Sequence, residues 1–270
     1  MSESNNNNEK VLTHINGRVL YITINRPERM NAIDTETNRL MAEAMDRYAA
    51  DDSLWLAVIR GSGNRAFSAG GDIQAMNNAA EGGEPYKVPE TGYGGLTSRF
   101  DLDKPVLAIV NGLAMGGGFE IALAADLVIA AEHATFGLPE PMVGIVAYAG
   151  GMHRLPRQIG MKRAMQLLLA CETIDAQTAM DWGLVNAVVP AEGLDEAAER
   201  WINRLLKPAP LAMQATKQCV REGLDMDMAE AIKGQDQNRY PALESMRTSR
   251  DILEGIKAFA QKRQPEWGGE

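Results

Sequence analysis

Two glutamates in apolar surroundings are the residues of this 270-residue chain best suited to proton transfer. Glu120 lies within the apolar run 109–131, two residues after the glycine triplet 116–118, and Glu140 lies between prolines in FGLPEP, residues 136–141. A carboxylate in such surroundings is costly unless it has a partner or a task. Acids with environments that perturb their pKa are typical of general acid–base catalysis. Glu120 and Glu140 are therefore the candidate catalytic residues.

Two glycine-rich turns could supply the electrostatic part of such chemistry. They are FSAGGD, residues 67–72, and GGGFE, residues 116–120. A turn of this kind can leave a backbone N–H free where a helix begins, and two such donors aimed at one point form an oxyanion hole. Tight packing of a strand against a helix would explain either turn taken alone. The two turns together with the two acids favour an active site.

Three other motifs point to different chemistry, and each is incomplete. Residues 61–66 fit the dinucleotide pattern G-x-G-x-x-G/A, but paired glycines follow where the phosphate-binding helix would begin. Residues 112–118 lack the Lys-Ser/Thr of a P-loop. Ser68 lies in AFSAG, which misses the nucleophile elbow G-x-S-x-G by one glycine. The sequence therefore disfavours a Rossmann site, nucleotide hydrolysis and a serine hydrolase.

Alternating strands and helices must position these residues. Runs of β-branched and apolar residues predict strands at 19–24, 56–59, 106–110, 127–131 and 184–189. Apolar stripes at helical spacing and capping residues predict helices after Asp34 and at 119–125, 162–170 and 175–182.

The domain organisation follows from these elements. We expect a disordered tail at residues 1–10, an α/β core at 11–195 and a helical C-terminal region at 196–270. Within the core we expect residues 77–98 to form a long mobile loop and residues 151–160 to be irregular. Several apolar faces on the C-terminal helices indicate an oligomer.

The spaced combination of motifs resembles the crotonase (enoyl-CoA hydratase/isomerase) superfamily, and it extends over nearly the whole chain. The matching stretches are RP at 26–27 with NA at 31–32, and residues 66–73, 111–126, 136–154, 182–185 and 258–263. The resemblance implies a spiral of ββα units followed by a C-terminal helical trimerisation region. It also implies assembly as a homotrimer or as a homohexamer made of two trimers.

The same resemblance implies an acyl-CoA thioester as substrate, with coenzyme A belonging to the substrate and no separate cofactor. By position, the N–H groups of Gly71 and Gly117 would hold the thioester oxygen. Glu120 would act as the base toward water and Glu140 as the proton donor. Relatives that only shift a double bond usually lack one of the two acids. The expected activity is therefore that of a hydro-lyase, the reversible addition of water to an α,β-unsaturated acyl-CoA.

Substrate-binding positions are carried over from the resemblance in the same way. They are Arg26, Arg29, Ala66, Ala69, Asp72, Ile73, Gln74, Gly116, Pro139, Tyr148, Phe259 and Lys262. Gln74 stands where many relatives have a lysine that reaches the CoA phosphates. The positive charge that binds the CoA phosphates must then come from Arg26, Arg29 or Lys262 of a neighbouring subunit. Tyr148 stands where the family usually has Gly or Asp, so the resemblance does not identify the acyl group of the substrate.

Several alternatives remain on the same scaffold. GGGFEIALAAD, Tyr240-Pro241 and the ending from Phe259 to Trp267 are similar to carnitinyl-CoA dehydratases, although the Asp of those enzymes is missing at Tyr148. A Δ3,Δ2-enoyl-CoA isomerase and a CoA-thioester hydrolase are further alternatives within enzymes. An RNA-binding relative or an inactive scaffold is the alternative outside enzymes. RNA binding would need a basic stripe.

Composition and charge limit the partners and the compartment. The net charge is −9, which argues against nucleic acid or an anionic membrane as partner. The polar start MSESNNNN is not a signal peptide, and glycines and acids interrupt the most apolar stretch, residues 105–131. Cys171 and Cys219 form no CxxC pair. We therefore expect a cytoplasmic protein with reduced thiols and no metal site.

Overall fold

Strand–strand–helix units succeed one another in the computed structural model, which describes residues 9–270. The strands are β1 (Val11–Asn16), β2 (Val19–Ile24), β3 (Leu56–Gly61), β4 (Ala66–Ser68), β5 (Val106–Val110), β6 (Leu113–Met115), β7 (Leu127–Ala131), β8 (Thr135–Gly137), β9 (Thr173–Asp175) and β10 (Ala187–Val189). The helices are α1 (Thr35–Ala50), α2 (Ile73–Ala80), α3 (Gly117–Ala124), α4 (Gly151–Ile159), α5 (Met161–Leu169), α6 (Ala176–Asp181), α7 (Leu194–Leu205), α8 (Pro210–Gly223), α9 (Met228–Asp236), α10 (Pro241–Arg247) and α11 (Arg250–Ala260).

The strands form two sheets, and from β3 to β8 successive strands alternate between them. The first has six strands in the order β1-β2-β3-β5-β7-β10, and the second has four in the order β4-β6-β8-β9. Each of the units β3-β4-α2, β5-β6-α3 and β7-β8-α4 therefore places one strand in each sheet and follows them with a helix. Neighbouring units pair in parallel, as β3 does with β5 and β4 with β6. The expected α/β spiral of ββα units is confirmed.

The central strands are apolar throughout because both faces of the larger sheet are covered. In β5, Ala108 and Val110 belong to the main core, whereas Leu107 and Ile109 belong to a second core on the opposite face. Helix α7 covers that opposite face with an apolar stripe that includes Ile202. Strands buried on both sides lose the apolar–polar alternation of a half-exposed strand. The predicted strands at 106–110 and 127–131 are confirmed.

Helix α1 begins where its capping residue predicts. The Asp34 carboxylate accepts a hydrogen bond from the Thr37 N–H at 2.8 Å, which satisfies one of the unpaired donors of the first turn. The side chains of Met41, Met45 and Tyr48 on the same helix are fully buried. The predicted cap and the predicted apolar stripe are both confirmed.

The interpretation of residues 77–98 as one long loop is wrong at both ends. Helix α2 continues to Ala80, and residues 92–97 are buried. A methyl group on Gly95 would lie 2.4 Å from the Ala42 Cα atom, so glycine lets this segment lie directly on α1. The glycines that indicated a loop instead permit close packing.

The expectation of irregular structure at 151–160 is also wrong, because α4 occupies residues Gly151–Ile159. Pro156 lies inside this helix, and the buried Leu155 and Ile159 hold it against the core. In α5, Ala164 is buried as expected, but Met165 and Leu169 of the predicted inward stripe are exposed. Of the last predicted strand, 184–189, only Ala187–Val189 are in a strand, β10.

Helices alone follow Leu194, as predicted, and α11 leaves its apolar stripe uncovered. Leu253, Ile256 and Phe259 are exposed by 69, 64 and 88%. None of the helices within residues 9–270 has both the length and the apolar character that crossing a membrane requires. Most of the tail predicted at 1–10 lies outside the described residues. Lys10 within it forms an ion pair with Asp34 at 2.6 Å.

Candidate active site

The first catalytic candidate, Glu120, lies in the first turn of α3 and is 2% exposed. Its Oε1 atom accepts a hydrogen bond from the Gly151 N–H at 2.8 Å, so the N-terminus of α4 faces this carboxylate. Burial raises the pKa of Glu120 to about 7, and the nearby Glu140 charge adds to this, whereas the Gly151 hydrogen bond opposes it. Glu120 can therefore gain or lose a proton close to neutral pH.

The second candidate, Glu140, lies against the glycine turn that precedes α3. A methyl group on Gly116 would lie 2.9 Å from the Glu140 Oε1 atom, so a larger residue here would push the carboxyl group away from the turn. The Oε2 atom of Glu140 is buried and has no hydrogen-bond partner in the described part of the chain. Burial raises the pKa of Glu140 above its ordinary value. The structure thus brings both predicted acids to the start of one helix.

The predicted oxyanion donors lie on two turns that touch each other. A methyl group on Gly70 would lie 3.0 Å from the Gly117 nitrogen, so the turn before α2 abuts the first residue of α3. Ile33 anchors the first turn, because its N–H donates to the Gly70 oxygen at 2.8 Å and its oxygen accepts the Asp72 N–H at 3.0 Å. These two hydrogen bonds form an isolated parallel β-bridge between Ile33 and Gly71, and the bridge does not use the N–H of Gly71.

The N–H of Gly117 is free for a different reason. Gly117 is the first residue of α3, and the first turn of a helix has no intrahelical acceptors for its N–H groups. No side chain caps this end of α3. The N–H groups of Gly71 and Gly117 therefore have no acceptor in the described part of the chain, and they lie on adjoining turns, as the predicted oxyanion hole requires.

A buried tyrosine that the sequence did not indicate lies against both turns. A methyl group on Gly117 would lie 2.5 Å from ring carbon Cε1 of Tyr93, and one on Gly71 would lie 3.2 Å from the Tyr93 hydroxyl oxygen. Tyr93 belongs to the segment that was expected to be mobile. The glycines on either side of it, at 92 and 94, are the local signal in the sequence, and by themselves they indicate a loop.

Arg154 on α4 is a second residue that sequence reasoning missed. Its guanidinium donates to the Thr97 oxygen at 2.7 Å and to the Ala149 oxygen at 3.3 Å. The positive charge opposes the rise in the pKa of Glu120. Arg154 thereby links the buried segment around Thr97 to the start of α4, where Gly151 meets Glu120.

A groove of about 690 Å³ lies beside the turn that holds Gly71. Its lining residues are Arg26, Arg29, Asp72, Ile73, Gln74, Ala75, Asn77 and Asn78. The predicted positions 26, 29 and 72–74 are thus brought together. The lining is mostly polar, which suits a ligand that carries phosphates or amides.

The arginines of this groove differ in their availability. Arg26 is committed within the protein, since it donates to the Asp72 carboxylate at 2.8 Å and to the Ala32 oxygen at 2.6 Å. Asp72 also caps α2, so this ion pair holds the turn around Gly71 in place. Arg29 is exposed and donates to the Gln74 side chain at 2.6 Å. Arg29 is therefore better placed than Arg26 to meet an anionic group.

Of the other predicted positions near the turns, Ala66 and Ala69 bond through their backbones. The Ala66 oxygen accepts from the Asn31 side chain at 2.8 Å, and the Ala69 N–H donates to the Met30 oxygen at 2.9 Å. Pro139 is exposed and directly precedes Glu140.

Three predicted positions are exposed outside the groove lining. Tyr148 is 79% exposed and follows the buried Ala147. Phe259, in the last turn of α11, and Lys262, two residues beyond that helix, are not among the groove residues of the same chain.

Comparisons with known proteins show the family of this chain. The family model described as enoyl-CoA hydratase/isomerase matches residues 14–270. Carnitinyl-CoA dehydratases from Salmonella arizonae and Salmonella typhi are each 43% identical over 258 residues, which cover 94% of this chain and 96% of the relative. A crystal structure of enoyl-CoA hydratase from Mycobacterium tuberculosis has a TM-score of 0.88 and 36% identity, covering 97% of this chain and 99% of that chain. An enoyl-CoA hydratase from Mycobacterium marinum has a TM-score of 0.87 and 37% identity with the same coverage. With its two acids and two glycine turns brought to one place, the chain belongs to the enoyl-CoA hydratase/isomerase family.

Proposed function

We propose that this protein catalyses the reversible addition of water to an α,β-unsaturated acyl-CoA thioester. The observation that carries the proposal is the convergence of two carboxyl groups with raised pKa values, Glu120 and Glu140, on the turn that presents Gly117. Addition of water needs one group to accept a proton and another to donate one. A double-bond shift or a thioester hydrolysis does not account for the presence of two carboxyl groups at this turn, the buried Glu120 and the half-buried Glu140.

In the proposed reaction, Glu120 takes a proton from water while the water oxygen forms a bond to Cβ of the enoyl group. The electron pair of the double bond moves toward the thioester, and the N–H groups of Gly71 and Gly117 hold the developing enolate oxygen. Glu140 then gives its proton to Cα, which restores the thioester carbonyl. Removal of water reverses each transfer, so the two acids exchange roles.

The groove beside Gly71 is the proposed site of the CoA moiety. Arg29 is its exposed cation, and the amides of Gln74, Asn77 and Asn78 supply further polar contacts. Gln74 replaces the charge of a lysine with a neutral amide, so Arg29 carries more of the phosphate recognition. We also propose that Lys262 and Phe259 reach this groove from a neighbouring subunit.

A panel of enoyl-CoA thioesters with different acyl groups tests the activity. We expect loss of the conjugated thioester absorbance together with formation of the hydroxyacyl-CoA. Release of free CoA without a hydroxyacyl product would indicate a thioester hydrolase. Movement of the double bond without uptake of water would indicate an isomerase. Either outcome would overturn the proposal.

The rate of water addition is expected to fall as the pH rises above about 7. The pKa of Glu120 is about 7, so the proton that the pair shares is lost as the pH rises through that value. The reaction needs one proton shared between the two acids in either direction, so the doubly ionised pair is inactive. Each pH unit above the midpoint should lower kcat/KM about tenfold. A kcat/KM profile that stays flat from pH 6 to 9 would contradict this expectation.

Carnitinyl-CoA dehydration is the second candidate, and the 43% identity to carnitinyl-CoA dehydratases favours it. It needs the same two acids and the same donors, since it is the removal of water from a β-hydroxy thioester. Measuring the release of water from carnitinyl-CoA against the hydration of crotonyl-CoA distinguishes the two candidates by their kcat/KM values.

Replacing Tyr148 tests what this residue contributes to acyl selectivity. If its hydroxyl bonds a polar acyl group, Tyr148→Phe should lower the preference for polar over plain acyl-CoAs by about 1–3 kcal/mol, because a partner is left unpaired. If only bulk matters, Tyr148→Phe should change nothing, whereas Tyr148→Gly should admit longer or branched chains. Selectivity that is unchanged in both variants would show that Tyr148 does not choose the substrate.

We further propose that the protein works in the cytoplasm as a homotrimer or a dimer of trimers. The stripe of α11 formed by Leu253, Ile256 and Phe259 supports self-association, because three large apolar side chains would otherwise face water. Light scattering coupled to size-exclusion chromatography should give three or six times the chain mass of 29.4 kDa.

A further inference from the structure

Tyr93 lies beside both predicted donor residues, Gly71 and Gly117, on the side where a side chain of either would project. Its ring occupies the space where a Gly117 side chain would lie, with Cε1 at 2.5 Å from the position of such a Cβ atom. Its hydroxyl oxygen is 3.2 Å from the corresponding position on Gly71. One rigid side chain therefore spans the gap between two residues that are 46 positions apart in the sequence.

A chain of hydrogen bonds ties the Tyr93 hydroxyl to the backbone that holds Gly71. The hydroxyl oxygens of Tyr93 and Tyr86 are 2.7 Å apart, and the Tyr86 hydroxyl donates to the Ile33 oxygen at 2.6 Å. Because Tyr86 donates its hydroxyl hydrogen to the Ile33 oxygen, Tyr93 is the donor to Tyr86, and the Tyr93 hydroxyl oxygen also lies 3.4 Å from the Ile33 oxygen. The same Ile33 oxygen accepts the Asp72 N–H at 3.0 Å. The hydrogen bonds of the two tyrosines thus lead to the Ile33 oxygen, which also holds the glycine turn that contains Gly71.

Both phenols stay protonated over the range in which the protein would work. Burial raises the pKa of Tyr86 to about 12 and that of Tyr93 well above its ordinary value. Ionisation of either phenol therefore does not break the hydrogen-bond chain at neutral pH. Phenylalanine would fill the same space without burying two hydroxyl groups, which are costly inside a protein unless they are bonded.

We propose that Tyr93 and Tyr86 are positioning residues that set the separation and direction of the Gly71 and Gly117 N–H donors. The inference rests on the proposed function, because it assumes that these donors bind a thioester oxygen. The ring of Tyr93 holds the Gly117 donor in place, and the hydrogen bonds of the two hydroxyl groups hold the Gly71 donor in place. A small displacement of either donor weakens charge stabilisation in the transition state more than it weakens substrate binding.

The first test separates kcat from KM. Tyr93→Phe and Tyr86→Phe should each lower kcat about fivefold to tenfold, the effect of roughly one hydrogen bond, and leave KM within about twofold. The double variant should be no slower than the slower single variant, because both hydroxyls act through one chain. Additive losses, or a rise in KM at constant kcat, would overturn the proposal.

Tyr48→Phe is the matched control. Tyr48 is fully buried, and its hydroxyl donates to the Pro105 oxygen at 2.7 Å, so the variant loses the same kind of bond in the core. Tyr48 lies on α1 and has no part in the hydrogen bonds of the two turns. Thermal unfolding should show a comparable loss of stability for all three single variants, while kcat should fall only for Tyr93→Phe and Tyr86→Phe. An equal fall in kcat for Tyr48→Phe would overturn the proposal.

The second test reads the donors directly and does not depend on turnover. Butyryl-CoA labelled with ¹³C at the thioester carbonyl has no double bond to hydrate, and difference infrared spectroscopy isolates its carbonyl band. Binding to the wild-type protein should lower the carbonyl frequency, because two N–H groups polarise the bond. Tyr93→Phe should reverse part of that shift, whereas Tyr48→Phe should retain it in full.

The outcomes distinguish failure of this inference from failure of the proposed function. A wild-type protein that shifts the carbonyl band but hydrates no enoyl-CoA would contradict the proposed function. The inference about Tyr93 would then still be tested by comparing the carbonyl frequency in Tyr93→Phe with that in the wild type. A full shift in both Tyr93→Phe and Tyr86→Phe would overturn the inference. So would the absence of any shift when butyryl-CoA is bound to the wild-type protein.

Discussion

Glu120→Gln and Glu140→Gln are each expected to lower kcat for the addition of water by about two to four orders of magnitude, the range typical of general acid–base groups. Glutamine keeps the size and an acceptor oxygen of each side chain but cannot exchange a proton. The measurement is the initial rate of loss of the enoyl thioester absorbance. The matched control is Glu132→Gln, an exposed carboxylate between the two acids in the sequence, which should leave kcat unchanged.

Stability measurements show whether a slow variant is folded. Because the pKa of Glu120 is raised in the folded state, the ionised carboxylate costs stability as the pH rises from its unfolded pKa through about 7. Glu120→Gln removes that cost and retains an acceptor for the Gly151 N–H. Its melting temperature at pH 8 should therefore be no lower than that of the wild type. A folded Glu120→Gln or Glu140→Gln protein with near-normal hydration would refute the assignment of that acid.

Gly117→Pro is expected to be far slower than Gly117→Ala. Both substitutions add a Cβ atom that meets the Tyr93 ring at 2.5 Å, so both must displace that ring. Only proline also removes the N–H, and the first residue of a helix tolerates proline. The alanine variant therefore measures the cost of moving Tyr93. The further fall in kcat from alanine to proline should be about 10²–10³, the effect of losing one oxyanion donor.

Binding and folding controls complete this comparison. Butyryl-CoA should bind both Gly117 variants with similar affinity, because the groove proposed for the CoA moiety does not include Gly117. Melting curves and the oligomer mass should match between the two variants. Equal kcat values for folded Gly117→Pro and Gly117→Ala would show that the Gly117 N–H does not hold the thioester oxygen.

The elements whose signals are local could be predicted from the sequence. Continuous β-branched and apolar runs predict β5 and β7, because strands covered on both faces need no alternation. Asp34 predicts the start of α1, since an N-cap needs only its own first turn. The same local reasoning failed at α4, where a glycine start and Pro156 suggested irregular structure. Burial of Leu155 and Ile159 against the core outweighs those breakers.

The chemical groups of the site are also a property of the sequence. Two acids in apolar runs and two glycine turns are visible without coordinates, and their spacing is enough to indicate the family. The geometry is not visible, because it depends on contacts between units that are far apart in the chain. Commitment of Arg26 to Asp72 inside the protein is one such contact. It leaves Arg29 as the exposed cation of the groove.

What the sequence by itself determined, therefore, is which residue types are available for the reaction and which elements carry them. What only the tertiary structure decided is their arrangement: Glu140 against Gly116, and Tyr93 spanning Gly71 and Gly117. The physical reason is that secondary structure follows from the periodicity of neighbouring residues. The meeting of the two turns instead requires successive ββα units to stack, which brings the start of each helix beside the next.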